Sequence, residues 1–140
     1  MRAAVCVIDA GTAVTVDLIA PDGNHRGGII VPGLGLLRDA LLRDTSDIDS
    51  FVRQSEGPLA DGDWYGRDTL SAVHRGTVFM LQSALQQAVA ACHAEFPGAA
   101  VLLTGGDASV ASELLAVETE LHPHLVLEGL QILSEEQLDA

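Results

Sequence analysis

The period at which apolar positions recur changes several times along this chain, and each change marks an element. Residues 4–8 (Ala-Val-Cys-Val-Ile) form an unbroken apolar run and predict a buried strand, whereas 14–20 alternates and predicts a second. The turn signal Pro21-Asp22-Gly23-Asn24 separates that strand from a third, His25 to Val31, so three antiparallel strands open the chain. After Pro32-Gly33 the period lengthens, and Leu36, Leu37, Ala40 and Leu41 fall at helical spacing. Periodicity lapses between Asp44 and Gly66, so a long loop is expected over 45–65; loops of that length are uncommon unless functional. Asp68 or Thr69 then caps a helix over 69–95, with an apolar stripe through Leu70, Val73, Thr77, Leu81, Ala84, Ala88 and Cys92. A strand at 99–103, a helix at 109–115, a strand at 118–121 and a helix at 125–133 complete the pattern. The acidic end, 134–140, is expected to fray.

The order β-β-β-α-α-β-α-β-α predicts an α/β fold, one lobe of the ribonuclease-H-like (actin-like ATPase) kind, with a mixed sheet of three antiparallel strands followed by helix-connected strands. A chain of 140 residues, 48% of them hydrophobic, is one domain with a core of Leu, Val, Ile and Ala, since aromatics make up only 4%. Its net charge of −13, with seven Arg and no Lys, argues against nucleic acid as a partner. It also excludes a P-loop, which depends on its lysine. Phosphate would have to be held by backbone N–H groups, hydroxyls and metal ions. Cys6 and Cys92 stand in apolar segments and read as buried free thiols. The start, Met1-Arg2-Ala3-Ala4, is too short before Asp9 for a signal peptide, and no apolar run approaches a membrane span, so a cytoplasmic protein without a membrane partner is expected.

Four blocks carry candidate chemistry. In Asp9-Ala10-Gly11-Thr12-Ala13-Val14-Thr15-Val16-Asp17 a carboxylate ends a strand, a glycine permits a tight turn, and hydroxyls follow. Backbone N–H groups around Gly11 and the Thr12 and Thr15 hydroxyls suit phosphate oxygens, while Asp9, an anion, suits a cation beside them. An ordinary hairpin turn is the plain alternative. Gly27-Gly28-Ile29-Ile30-Val31-Pro32-Gly33 places two glycines within a strand, a sign of close approach by another backbone or a ligand. Thr104-Gly105-Gly106-Asp107 follows a strand and precedes a helix, exposing flat backbone to a purine. In Gly66-Arg67-Asp68-Thr69 the Thr69 hydroxyl either caps a helix, the favoured reading of that residue by itself, or faces a substrate; Gly76 further on suggests a close helix–helix contact.

Together these blocks, spanning Asp9 to Ala108, resemble type III pantothenate kinase: Asp-x-Gly-Thr-Ala-x-Thr-x-Asp, Gly-Gly-x-Ile-x-Pro-Gly, Gly-x-x-Thr-x-x-Ala and Thr-Gly-Gly-Asp-Ala. The resemblance implies ATP-dependent phosphorylation of pantothenate, the first step of coenzyme A synthesis, by a cytoplasmic homodimer using Mg²⁺ and a monovalent cation, K⁺ or NH₄⁺. It implies that Asp9 is the metal ligand and that Gly11, Thr12, Thr15, Thr104, Gly105 and Gly106 belong to the ATP site. It places Thr69 at the pantothenate site, near the dimer interface.

Members of that family are about twice this length. Their amino-terminal half supplies an Asp-x-Gly-Asn-Thr phosphate loop and a Gly-x-Asp-Arg segment whose Asp is the general base; neither pattern occurs here. The resemblance therefore makes this chain the carboxyl-terminal lobe, without a catalytic residue of its own, inactive alone and partnered by the amino-terminal half. Two other readings stand beside it: a non-catalytic relative serving as a binding or transcription-accessory module, and a superfamily member acting on a sugar or acetate. Loss of the partner lobe would leave apolar surface exposed, and with the 69–95 stripe this points to dimerisation.

Overall fold

The computed structural model describes residues 3–43 and 64–138. The expected long loop at 45–65 lies outside the described residues, apart from Trp64 and Tyr65. The opening apolar run becomes β1 (Val5–Ala10) and the alternating run β2 (Ala13–Ile19), paired antiparallel with Asp9 opposite Thr15. Asp22 organises the next turn by accepting the Asn24 N–H at 3.0 Å, and β3 (His25–Pro32) returns along β2. β4 (Ala100–Thr104) lies parallel to β1 on its other side, and a two-residue β5 (Glu120–Leu121) lies parallel to β4. The sheet order β3-β2-β1-β4-β5 is that of a ribonuclease-H-like lobe, as expected.

Among the described residues the helices are α1 (Leu34–Leu42), α2 (Thr69–Glu95), α3 (Ala108–Glu113) and, after β5, α4 (Leu125–Leu138). α3 ends two residues earlier than the pattern suggested, and β5 begins at Glu120 rather than 118. α4 runs on through 134–138, the stretch read as a tail. Polar residues there are no obstacle to helix, since Glu and Gln have good helix propensity.

The core lies on one face of the sheet. Cys6, Ile8 and Ala10 of β1, Val14 and Val16 of β2, and Val101 and Leu103 of β4 meet Leu81, Leu85, Val89 and Cys92 of α2, with Ala108 and Ala111 of α3 beside them. Ile8, Leu85 and Leu103 are wholly buried, each contributing roughly 1.5–3 kcal/mol of apolar transfer. Thr77, Leu81 and Cys92 of the expected α2 stripe are buried, but between them Leu85 and Val89 are buried where Ala84 and Ala88 are half-buried. Both sets have helical spacing, and the larger side chains win the interior because they remove more apolar surface from water. Cys6 and Cys92 are buried free thiols. Burial, with Cys92 beside it, pushes the Cys6 thiol up to about 12.

Candidate phosphate-binding site

The pairing register brings the sequence motifs to the carboxyl ends of two adjacent parallel strands, β1 and β4, the edge at which open α/β sheets offer crevices to ligands. Asp9 stands opposite Thr15 on β2 and opposite Thr104 on β4, so Thr15, Asp9 and Thr104 form a row across three strands. Strand alternation puts this row on the face away from α2. Just past it the chain turns through Gly11 and Thr12. The Gly11 N–H is spent within the turn, donating to the Ala13 carbonyl at 3.1 Å. The Thr12 residue is exposed, and its carbonyl accepts the Gly33 N–H at 2.9 Å. A Cβ at position 33 would sit on the Gly11 carbonyl oxygen, which is why the Pro32-Gly33 block can lie against the hairpin. Of the two strand glycines, Gly28 lies against the Val16 carbonyl and the Asp17 carboxylate, whereas no atom of the described residues comes within 4 Å of a Cβ at Gly27, whose φ is +120°.

The second glycine turn comes to the same place. Gly105 has φ +92°, and a Cβ there would overlap the Ala10 carbonyl oxygen and lie 2.5 Å from Asp9 Oδ1. The Asp107 N–H donates to that Ala10 carbonyl at 2.9 Å, tying the two turns together. Thr15, the buried Thr104 and Gly105 thus flank Asp9, with Gly11, Thr12 and Gly106 next to them in the chain. Carboxylate, hydroxyl and backbone oxygens of this kind suit hard cations, and the missing side chain at Gly105 leaves room for the half-buried Asp9 carboxylate beside the turn.

Thr69 is not among the residues this register collects. It is exposed, the first residue of α2, roughly 12 Å of helix before Thr77, where burial begins. The favoured reading of Thr69 as a cap is corrected: Asp68 is the N-cap, accepting the Ser71 N–H at 2.8 Å while Ser71 Oγ accepts the Asp68 N–H at 3.2 Å. Asp outcompetes Thr because this capping box satisfies two donors with one pair of side chains. Those hydrogen bonds hold the Asp68 carboxyl below the ordinary aspartate value. Gly76 makes no close helix–helix contact among the described residues, none of whose atoms comes within 4 Å of a Cβ placed there. It lines a cavity of about 400 Å³ whose wall includes Trp64, Tyr65, Arg75 and Phe79. Trp64 and Phe79 meet edge to face, centroids 5.4 Å apart. Three of the chain's five aromatic residues meet there, a grouping their spacing in sequence did not disclose. Asp17, which closes the first motif, pairs with His25 Nε2 at 2.8 Å.

Sheet order defines the class of protein, an α/β lobe of the ribonuclease-H-like fold. A Campylobacter jejuni protein described as a conserved putative Baf family transcriptional activator shares the fold: TM-score 0.66 at 20% identity, over 97% of this chain and 59% of that one. The model of the type III pantothenate kinase family matches residues 1–91, and the chain belongs to that family. A type III pantothenate kinase of Ectopseudomonas mendocina is 40% identical over 92% of this chain and 52% of its own length. One of Pseudomonas aeruginosa is 39% identical over 94% and 52%. The chain thus spans about half the length of the curated relatives it matches, and it corresponds to their carboxyl-terminal half.

Proposed function

We propose that the chain is the nucleotide-holding carboxyl-terminal lobe of a type III pantothenate kinase, which transfers the γ-phosphoryl group of ATP to pantothenate in the cytoplasm. The observation that carries this reading is the convergence of the Gly11-Thr12 turn and the Thr104-Gly105-Gly106 turn on Asp9. In this reading the Thr12 and Thr15 hydroxyls and the backbone of the two turns bind the phosphates, and the glycine turn 104–106 lies against the nucleoside. Asp9 holds the cation that offsets phosphate charge, Mg²⁺ with ATP or a monovalent K⁺ or NH₄⁺. Cations matter more here than in most kinases, because a chain with no Lys and a net charge of −13 repels a polyphosphate. Thr69, exposed at the start of α2, contacts pantothenate beside a homodimer interface that includes the exposed Phe79 and Met80.

Phosphoryl transfer depends on positioning and electrostatic stabilisation, and this lobe supplies part of each. The general base and the first phosphate loop belong to the other half, so the isolated chain binds nucleotide without turning over. The test measures cation-dependent ATP binding by calorimetry, and pantothenate phosphorylation by the chain alone and with a matching amino-terminal half. Binding by the chain, weakened at least about tenfold in Asp9→Asn, with turnover only on mixing, is the expected result. A folded chain that binds no nucleotide and gives no turnover on mixing would favour the non-catalytic module instead.

A further inference from the structure

Asp68 and Asp107 both stand at helix N-caps, and only one of them caps. Asp68 is extended (φ −141°, ψ 169°), so its carboxylate reaches the Ser71 N–H. Asp107, ahead of α3, has φ −104° and ψ 16°, and its side chain makes no cap hydrogen bond. The sheet is the cause: the bond from the Asp107 N–H to the Ala10 carbonyl, 2.9 Å long, fixes this residue against the end of β1. Among the described residues no donor is bonded to the Asp107 carboxylate. Asp107 is exposed, and the two residues before it, Gly105 and Gly106, carry no side chain. No atom of the described residues lies within 4 Å of a Cβ placed at Gly106, so the turn beside Asp107 is open.

We propose that Asp107 recognises the ribose of the bound nucleotide, its two carboxylate oxygens accepting from the 2′- and 3′-hydroxyl groups. The proposal rests on the nucleotide reading above, which sets the 104–106 turn against the nucleoside; Asp107 is the next residue. Chemistry selects the sugar over the rest of the ligand. An ionised carboxylate only accepts hydrogen bonds, and it repels a polyphosphate, above all in a chain of net charge −13. Adenine offers it a single amino group. A vicinal diol offers two donors side by side, the pattern that an acidic residue reads in dinucleotide-binding folds.

The test compares ATP with 2′-deoxy-ATP by calorimetry on the full chain, wild type beside Asp107→Ala and Asp107→Asn, with a thermal melt of each. Wild type is expected to bind ATP at least about tenfold more tightly than 2′-deoxy-ATP, since a charge-assisted hydrogen bond goes with the hydroxyl. In Asp107→Ala, affinity for ATP falls at least about tenfold and the preference between the nucleotides shrinks to within about twofold. Removing an anion that merely stood near the phosphates would instead tighten both nucleotides. Tighter or unchanged ATP binding in Asp107→Ala therefore overturns the proposal. So does an equal loss for both nucleotides, the signature of a cation ligand or of a distorted turn. Asp107→Asn has the same shape and keeps one acceptor oxygen, so it loses part of the preference. Should Asp107→Ala melt far below wild type, Asp107→Asn decides, and an unchanged preference there overturns the ribose contact. A wild-type chain that binds ATP and 2′-deoxy-ATP alike removes that contact and leaves the phosphate site; a folded chain that binds neither removes both.

Discussion

Replacing Gly105 by alanine probes the junction on which the proposed site depends. At φ +92° an L-residue carries steric strain of about 1–2 kcal/mol. The new methyl group would also overlap the Ala10 carbonyl oxygen and stand 2.5 Å from Asp9 Oδ1, so β1 or the 104–107 turn must shift. Overpacking against a backbone that cannot swing aside adds about 1–3 kcal/mol. The sum, about 2–5 kcal/mol, lowers the melting midpoint of a domain this size by roughly 6–20 °C. Gly106→Ala is the matched control, since no atom of the described residues lies within 4 Å of its Cβ position and its φ is unexceptional; its change should stay within about 0.5 kcal/mol. Circular-dichroism melts and urea titrations of both variants measure the contrast. Displacing the Asp9 carboxylate also weakens cation-dependent ATP binding in Gly105→Ala; Gly106→Ala serves as the control for stability alone. If Gly105→Ala melts within about 2 °C of wild type, the two turns do not meet as described and the reasoning fails.

Leu85→Ala, which empties a wholly buried site between α2 and the sheet, should cost about 2–5 kcal/mol in urea unfolding, whereas Ala88→Gly reports mainly helix propensity at about 1 kcal/mol. Asp68→Ala removes the capping box and lowers the midpoint by a few degrees. Because its folded-state carboxyl is depressed, the Asp68 contribution is present above 3.8 and lost as pH falls through the lower folded value; a pH series of melts on wild type and variant shows whether their difference closes below that point. Cys6 has the opposite sign: its raised thiol stabilises the fold fully below 9, and that contribution drains away between 9 and about 12 as the unfolded thiol ionises first. Neither Cys6 nor Cys92 should react with a thiol reagent at pH 8 until guanidinium unfolds the chain; rapid labelling of the native protein would contradict their burial.

What the sequence determined by itself was the order of elements and the chemistry at their ends. Val14 to Ala20 alternates because one side of β2 is core, and Pro32-Gly33 and Thr104-Gly105-Gly106 mark turns because few other residues tolerate those backbones. The family resemblance was legible on the same grounds, since its motifs are local. Tertiary packing decided the rest. Spacing by itself allowed Ala84 and Ala88 or Leu85 and Val89 to face the sheet, and only the docked helix gave the interior to the larger pair. Gly76 looked like a contact point but lines a cavity, because Phe79 of α2 meets Trp64 ahead of the helix, an approach no helical period announces. The meeting of Asp9 with Gly105 likewise depends on β4 pairing in parallel beside β1, across more than ninety residues that no local pattern spans. Local propensity can announce a strand or a turn, but the strand's neighbour is chosen by the burial that the whole chain achieves at once.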